Sequence, residues 1–140
     1  MTLVSDLDET DKKSGIENIF ASKEIKELRA RVESMPDDPA AHFNLGAEYE
    51  KVGRTEEAIR EFEETLKGNA NSAEAHYNLA VLYESMNKGD KAILHILKAG
   101  NLFGNKNDQV KKVEARGLLR KYYRKFGVKP EDFSQNDLGI

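Results

Sequence analysis

Residues 40–50 read AAHFNLGAEYE and residues 74–84 read EAHYNLAVLYE, so two closely similar sequences occur 34 residues apart. An ungapped alignment of residues 39–72 with residues 73–106 extends the match over a whole unit. The identical pairs include Ala41/Ala75, His42/His76, Asn44/Asn78, Leu45/Leu79, Tyr49/Tyr83, Glu50/Glu84, Ala58/Ala92 and Ile59/Ile93. A fixed period in this range indicates a tandem structural repeat, in which each unit packs on its neighbour.

Each unit is predicted to form two helices. Apolar or small residues recur at steps of two to four from Phe43 to Val52, which is a helical stripe. Turn-forming residues follow at 53–55 and, in the second unit, at 87–89. The predicted helices are 40–52 and 55–67 in the first unit, and 74–86 and 89–102 in the second.

These residues resemble the tetratricopeptide repeat family. The match consists of Asn-Leu-Gly-x-x-Tyr at 44–49 and Asn-Leu-Ala-x-x-Tyr at 78–83, followed by Ala58 and Phe62, and by Ala92 and Ile96. The period of 34 residues is also the family's own. The resemblance implies an all-α fold of antiparallel helix-turn-helix repeats, stacked as a short right-handed solenoid.

The segments beside the repeats are predicted to complete the core, because two repeats alone bury too little surface. Residues 22–38 are predicted to form a helix with Ile25, Leu28 and Val32 on one face, equivalent to the second half of a degenerate repeat. Residues 107–127 are predicted to form a long C-terminal capping helix that stops at Gly127. The whole fold then contains about six helices.

The predicted domain organisation is a helical domain between two tails. The domain covers residues 22–127 and consists of the half repeat 22–38, the repeats 39–72 and 73–106, and the capping helix 107–127. Residues 1–21 are acidic and poor in apolar side chains, which predicts a flexible N-terminal tail. Residues 128–140 are predicted to form a C-terminal tail.

The composition favours a soluble protein of a reducing compartment. The chain has no cysteine and a net charge of −3. It begins MTLVSDLDETDKK, without the basic start and apolar run of a signal peptide, and no stretch approaches the roughly 18 apolar residues of a membrane helix. We therefore expect a cytoplasmic location and no membrane insertion.

Little in the sequence indicates catalysis. His42 and His76 occupy the same repeat position, which favours a structural role over metal binding, and His95 has no partner at ligand spacing. No nucleophile–base pair or phosphate-binding glycine loop stands out. The sequence predicts a protein that is not an enzyme and has no cofactor or metal.

The resemblance implies that the first helices of the repeats line a concave groove that holds a segment of a partner protein. The residues assigned to this groove are Phe43, Asn44, Ala47, Glu50, Lys51, Tyr77, Asn78, Val81 and Glu84, with a third wall from Lys111, Lys112 and Arg116 or their neighbours. The amides of Asn44 and Asn78 can both donate to and accept from a peptide backbone. Alternatively, the asparagines hold local turns, and Phe43 and Tyr77 pack against the next helix.

A second surface is indicated by Leu94 and Leu97, which stand where the first repeat has Arg60 and Glu63. Apolar residues at outward positions predict a cover, which is either the C-terminal helix or tail, a second partner, or another copy of the chain. The basic residues of 110–129 are compatible with nucleic acid, but the acidic chain as a whole disfavours it.

The predicted function is a non-catalytic protein–protein interaction module, acting as adaptor, scaffold or assembly factor. The alternatives are a self-assembling structural protein, with copies pairing through the basic C-terminal end and the acidic first repeat, and a permanent accessory subunit of a larger enzyme complex.

Overall fold

The computed structural model describes residues 9–132, with side chains from Ala21 onward, and over this range the chain is helical without strands. The helices are α1 Glu9–Ser34, α2 Pro39–Lys51, α3 Thr55–Gly68, α4 Ala73–Ser85, α5 Gly89–Asn105 and α6 Gln109–Phe126, followed by a 3-10 turn at Pro130–Asp132. The predicted all-α repeat fold is therefore confirmed. The outer parts of both predicted tails, 1–8 and 133–140, lie outside the described residues.

The first helix begins earlier than the sequence predicts. Helix α1 begins at Glu9 instead of residue 22, so residues 9–21 of the predicted tail are helical. Ser14 and Gly15 are weak helix formers, but Ile16, Ile19 and Phe20 follow them at helical spacing, so the sequence did contain a signal for the earlier start. From Ile25 onward the predicted face packs on the core, where Ile25 is buried and Leu28 and Val32 are partly buried.

The helix starts are set by short side chains that accept backbone hydrogen bonds. Asp38 accepts from the Ala40 amide before α2, and Ser72 accepts from the Ala75 amide before α4. Asp108 does the same before α6. Such caps satisfy amides that lack a partner within the helix and are worth about 1 kcal/mol each.

The α5–α6 turn has the same geometry as the turns inside the two repeats. The residue after the C-cap is left-handed in all three turns, with φ of 82° at Gly53, 57° at Asn87 and 60° at Asn107. In each turn, the next amide donates at 2.9 Å to the carbonyl of an aromatic residue, which is Tyr49, Tyr83 or Phe103. Helix α5 is thus the second helix of one hairpin and the first helix of the next, which the sequence analysis did not predict.

The core runs between the two repeats and is closed by α6. Phe62, Leu79, Ile93 and Ile96 are its largest fully buried side chains, and burial of each contributes about 1.5–3 kcal/mol. Helices α2 and α3 pack closely because Gly46 faces the Phe62 ring, where a Cβ would lie 3.1 Å from the ring atoms. The predicted capping helix α6 lies along α5, with Ala115 and Tyr122 buried.

Candidate functional site

A small pocket brings together four predicted groove residues, which are Phe43 of α2, Tyr77 and Asn78 of α4, and Lys111 of α6. It has a volume of about 250 Å³ and is also lined by Glu74, Phe103 and Glu114. Phe43 and Tyr77 occupy equivalent positions of α2 and α4, at the same distance after each N-cap, and Lys111 and Glu114 come from the first half of α6. We refer to these seven residues as the concave pocket.

Aromatic rings form much of the wall of the concave pocket. The Tyr77 ring meets Phe103 edge to face at 6.4 Å, and Phe43 meets the buried Phe62 in the same way at 5.3 Å. Both Phe43 and Tyr77 remain half-buried, so each ring packs on the next helix and still presents a surface to the pocket. The rings thus pack on the next helix, and their role as a groove floor stays a prediction.

The charges around the concave pocket are largely balanced. The Lys111 ammonium lies 5.5 Å from the centre of the Phe103 ring and 3.9 Å from the Glu74 carboxylate. Glu114 has no ion-pair partner within the described residues. Burial, with a smaller contribution from the Glu114 charge, raises the pKa of Tyr77 and keeps its hydroxyl neutral. The pocket therefore offers an aromatic wall with a slight excess of negative charge.

The other predicted groove residues of α2 and α4 do not line this pocket. Asn44 and Lys51 are exposed, and Lys51 pairs with Glu48 at 3.3 Å. Ala47 and Val81 are partly buried. They lie on the same two helices, but outside the set of pocket residues.

The two glutamates at the predicted rim have different surroundings. The Glu84 carboxylate accepts from the Lys125 ammonium at 2.5 Å, which joins α4 to α6. Burial raises the pKa of Glu50, and no ion pair to this residue is present among the described side chains. Equivalent positions of the two repeats therefore differ, because only the second repeat has α6 beside it.

Lys112 and Arg116, predicted for the third wall of the groove, line a different space. They lie in a larger cleft of about 780 Å³, which shares no residue with the concave pocket. The N-cap of α6, Asp108, comes 36 residues after that of α4, whereas Ser72 comes 34 residues after Asp38. Two extra residues turn a helix by about 200°, so Glu114, rather than Lys112, stands beside the concave pocket.

The large cleft contains a pair of histidines whose anchoring is repeated in the first unit. His76 donates through Nε2 to the Ala70 carbonyl at 3.0 Å, and His42 donates through Nε2 to the Pro36 carbonyl at 2.6 Å. A carbonyl oxygen only accepts, so Nε2 carries the hydrogen in both rings. Each histidine thus ties the start of its helix to the preceding loop.

The other ring nitrogen distinguishes the two repeats. Nδ1 of His42 lies 3.3 Å from Glu61, whereas Nδ1 of His76 lies 2.9 Å from Nδ1 of His95, the residue equivalent to Glu61. Burial alone would lower the pKa of His42, but the bond to the loop carbonyl and the Glu61 carboxylate outweigh it, and the pKa is raised. Burial and the neighbouring cationic groups lower the pKa of His95 to about 4.

Comparison with known proteins gives the family and the fold. The tetratricopeptide repeat family model matches residues 20–113, which is well over half of the chain. The chain belongs to the tetratricopeptide repeat family. Two solved structures, both described as crystal structures of MamA, share its fold with TM-scores of 0.56. They are 20% and 22% identical to this chain, and the matches cover 81% of it and 74% and 68% of the two MamA chains. No curated protein matches the chain in sequence.

The tetratricopeptide repeat fold is that of a protein–protein interaction module. Among residues 9–132, no helix is long and apolar enough to cross a membrane. Within the same described part, no group of three or more His, Cys, Asp or Glu side chains is placed to hold a metal ion.

The second predicted surface of this tetratricopeptide repeat domain is already partly covered. Leu94 and Leu97 are both half-buried, and Leu97 packs against the core. The larger exposed apolar side chains of the described residues are elsewhere, at Met35, Val110 and Val113. Val110 and Val113, both on α6, are 71% and 64% exposed.

Sequence reasoning missed the contact between His76 and His95, although a signal for it existed. The two residues are 19 positions apart on different helices, as are His42 and Glu61. The equivalence of Glu61 and His95 was therefore visible in the repeat alignment. Phe103 was missed because α5 continues to Asn105, beyond its predicted end at residue 102, and Glu114 was missed because its position depends on the turn between α5 and α6.

Proposed function

We propose that this chain binds an extended segment of another protein in the concave pocket, as an adaptor, scaffold or assembly factor without catalysis of its own. The observation that carries the proposal is the meeting of Phe43 of α2, Tyr77 of α4 and Lys111 of α6 in one pocket. A surface shared by the first helices of both repeats and by α6 suits a chain that runs across those helices.

The chemistry of the pocket supports an apolar anchor residue in the partner. Aromatic side chains such as Phe43 and Tyr77 dominate binding energy where an apolar group enters a pocket and water leaves. The Asn78 amide, half-buried at the same place, can donate to and accept from the backbone of the bound segment. Because Glu74 and Glu114 outnumber Lys111, a neutral or basic segment fits better than an acidic one.

The test selects peptides from a random library on the immobilised protein and measures their affinity for variants. We expect Tyr77→Ala to weaken the selected peptides by about thirtyfold and Asn78→Ala by about fivefold, with unchanged helicity. Asn101→Ala is the matched control, because Asn101 is an exposed amide in the other cleft. Equal affinity of all variants, or no enriched peptide, would refute the proposal.

A second candidate function is self-assembly, which the exposed Val110 and Val113 favour. They stand at the N-terminal end of the basic helix α6, and the first repeat is rich in acidic residues, so copies can pair between these surfaces. Light scattering over a range of concentrations tests this. A mass above the monomer that Val113→Glu reduces supports self-assembly, and a monomer at all concentrations rejects it.

A further inference from the structure

A large cleft lies between α3 and α5, on residues that the concave pocket does not use. Its volume of about 780 Å³ is in the range of small-molecule sites. Its lining includes His76, His95 and Glu63 and the three cations Lys98, Lys112 and Arg116. We call it the α3–α5 cleft.

The first repeat shows how this place differs from an ordinary interhelical surface of the same fold. At the positions equivalent to His95 and Lys98, the first repeat has Glu61 and Glu64. Both carboxylates raise the pKa of His42, whereas Lys98 contributes to lowering the pKa of His76. The second repeat thus has one neutral and one basic residue where the first repeat has two acidic ones. The histidine that bonds to the preceding loop is present in both repeats.

The cations of the α3–α5 cleft have no partner of their own. Lys98, Lys112 and Arg116 make no hydrogen bond or ion pair to any described residue. Helix α6 brings Lys112 over the end of α5, where its side chain lies against Gly104. Lys98 and Lys112 are half-buried, so their charges face the cleft under weaker solvent screening than fully exposed ones.

The Glu63 carboxylate, which also lines the cleft, already has polar partners. Glu63 accepts from the Tyr83 hydroxyl at 3.0 Å. It also lies 3.9 Å from Nε2 of His95. The cleft therefore carries three unpaired positive charges against one bound negative charge.

The hydrogen-bond chain determines which nitrogen of His95 is free. His76 carries its hydrogen on Nε2, so its Nδ1 accepts, and His95 must donate to it from Nδ1. In neutral His95 the Nε2 atom is then a bare acceptor that faces Glu63, another acceptor. An amino group placed beside these two atoms would satisfy both, because it can donate one hydrogen to each.

We propose that the α3–α5 cleft binds a small organic oxyanion, a phosphate or carboxylate compound that also carries an amino group. The oxyanion contacts Lys98, Lys112 and Arg116, and the amino group lies beside His95 Nε2 and Glu63. Paired basic side chains bind oxyanions through charge-assisted hydrogen bonds, which are about twice as strong as neutral ones. The site is independent of the proposed peptide-binding function.

The test is a titration of the folded chain with inorganic phosphate, citrate and phosphoserine, followed by NMR of backbone and asparagine amides. We expect saturable shifts confined to the cleft, at Asn71, Asn101 and Asn105. Tighter binding of phosphoserine than of phosphate shows that the donor subsite is used. Equal binding of these two, or no saturable binding of any of the three compounds, overturns the proposal.

Two charge-reversal variants distinguish a specific anion site from general electrostatic attraction of anions to the protein surface. Lys98→Glu introduces the residue type of the equivalent first-repeat position, and Lys121→Glu makes the same charge change on the exposed face of α6. We expect Lys98→Glu to weaken phosphoserine binding at least about tenfold and Lys121→Glu less than about twofold. Equal weakening by both variants refutes the site. If Lys98→Glu fails to fold, Lys98→Gln serves in its place.

Discussion

Replacement of His95 by glutamine should remove a large part of the acid sensitivity of this protein. In the native chain, folded His95 has a pKa of about 4, whereas an unfolded histidine has a pKa of about 6.5. The unfolded state therefore binds a proton between these two values that the folded state does not bind. The free energy of unfolding falls as the pH falls from about 6.5 to about 4, and this contribution is complete above pH 6.5.

The size of the effect follows from the two pKa values. At about pH 4.5, proton linkage lowers the free energy of unfolding by about 2.5 kcal/mol relative to neutral pH. The His95 side chain is only 13% exposed, so little of this is screened by solvent. Glutamine does not titrate, and its amide can still donate to His76. The variant lacks the imidazole ring that stacks on Tyr83 at 5.6 Å, which lowers its free energy of unfolding by roughly 1 kcal/mol at every pH.

The assay is urea unfolding monitored by circular dichroism at about pH 8, 6 and 4.5. Between the highest and lowest pH, the free energy of unfolding should fall by about 2.5 kcal/mol more in the native chain than in His95→Gln. The variant is nevertheless the less stable of the two at pH 8. The control is His42→Gln, which removes a histidine of the first repeat whose pKa is raised rather than lowered. If the native chain and His95→Gln lose stability in parallel, the burial of a neutral imidazole at position 95 is refuted.

Three further predictions use the same unfolding measurement. His42→Gln should change the pH dependence of stability in the opposite direction to His95→Gln. The raised pKa of His42 adds stability below about pH 6.5, which is lost as the pH rises through the folded value. An unchanged pH profile of the variant would contradict this. Gly89→Ala should lower the free energy of unfolding by about 1–3 kcal/mol, because the new Cβ would lie 2.5 Å from the Phe126 ring. Gly117→Ala, whose Cβ meets nothing within 4 Å, should raise it by roughly 0.5–1 kcal/mol. Equal effects of the two variants would show that α6 does not pack on α5 as described. Asn107→Ala should cost about 1 kcal/mol, since its φ of 60° is left-handed, and no loss would argue against the shared turn geometry.

The repeat period predicted most of the fold because it reports local structure. The bounds of α2 to α5 lie within a few residues of the predicted ones, since the turns at Gly53 and Asn87 and the cap at Ser72 act over a few neighbouring residues. The start of α1 at Glu9 was not predicted. Ile16, Ile19 and Phe20 are at helical spacing there, but the acidic segment with Ser14 and Gly15 was assigned to a tail.

The concave pocket was predicted in part, for the same reason. Phe43, Tyr77 and Asn78 lie where the period places them, because α2 and α4 begin 34 residues apart. Lys112 and Arg116 do not, because α5 has 17 residues where α3 has 14, and α6 enters in a different rotation. A small change in helix and turn length is invisible in a list of residue types, yet it decides which face a helix presents.

By itself, the sequence determined the family, the helical class, the repeated hairpins and two aromatic residues of the concave pocket, Phe43 and Tyr77. Each of these follows from spacing along the chain, which sets contacts within a helix and between adjacent helices. Only the tertiary structure decided the pairing of His76 with His95, the side of α6 that faces each cavity, and the unpaired cations of the α3–α5 cleft. Those depend on how separate helices are rotated against one another, and that rotation is set by packing of the whole core.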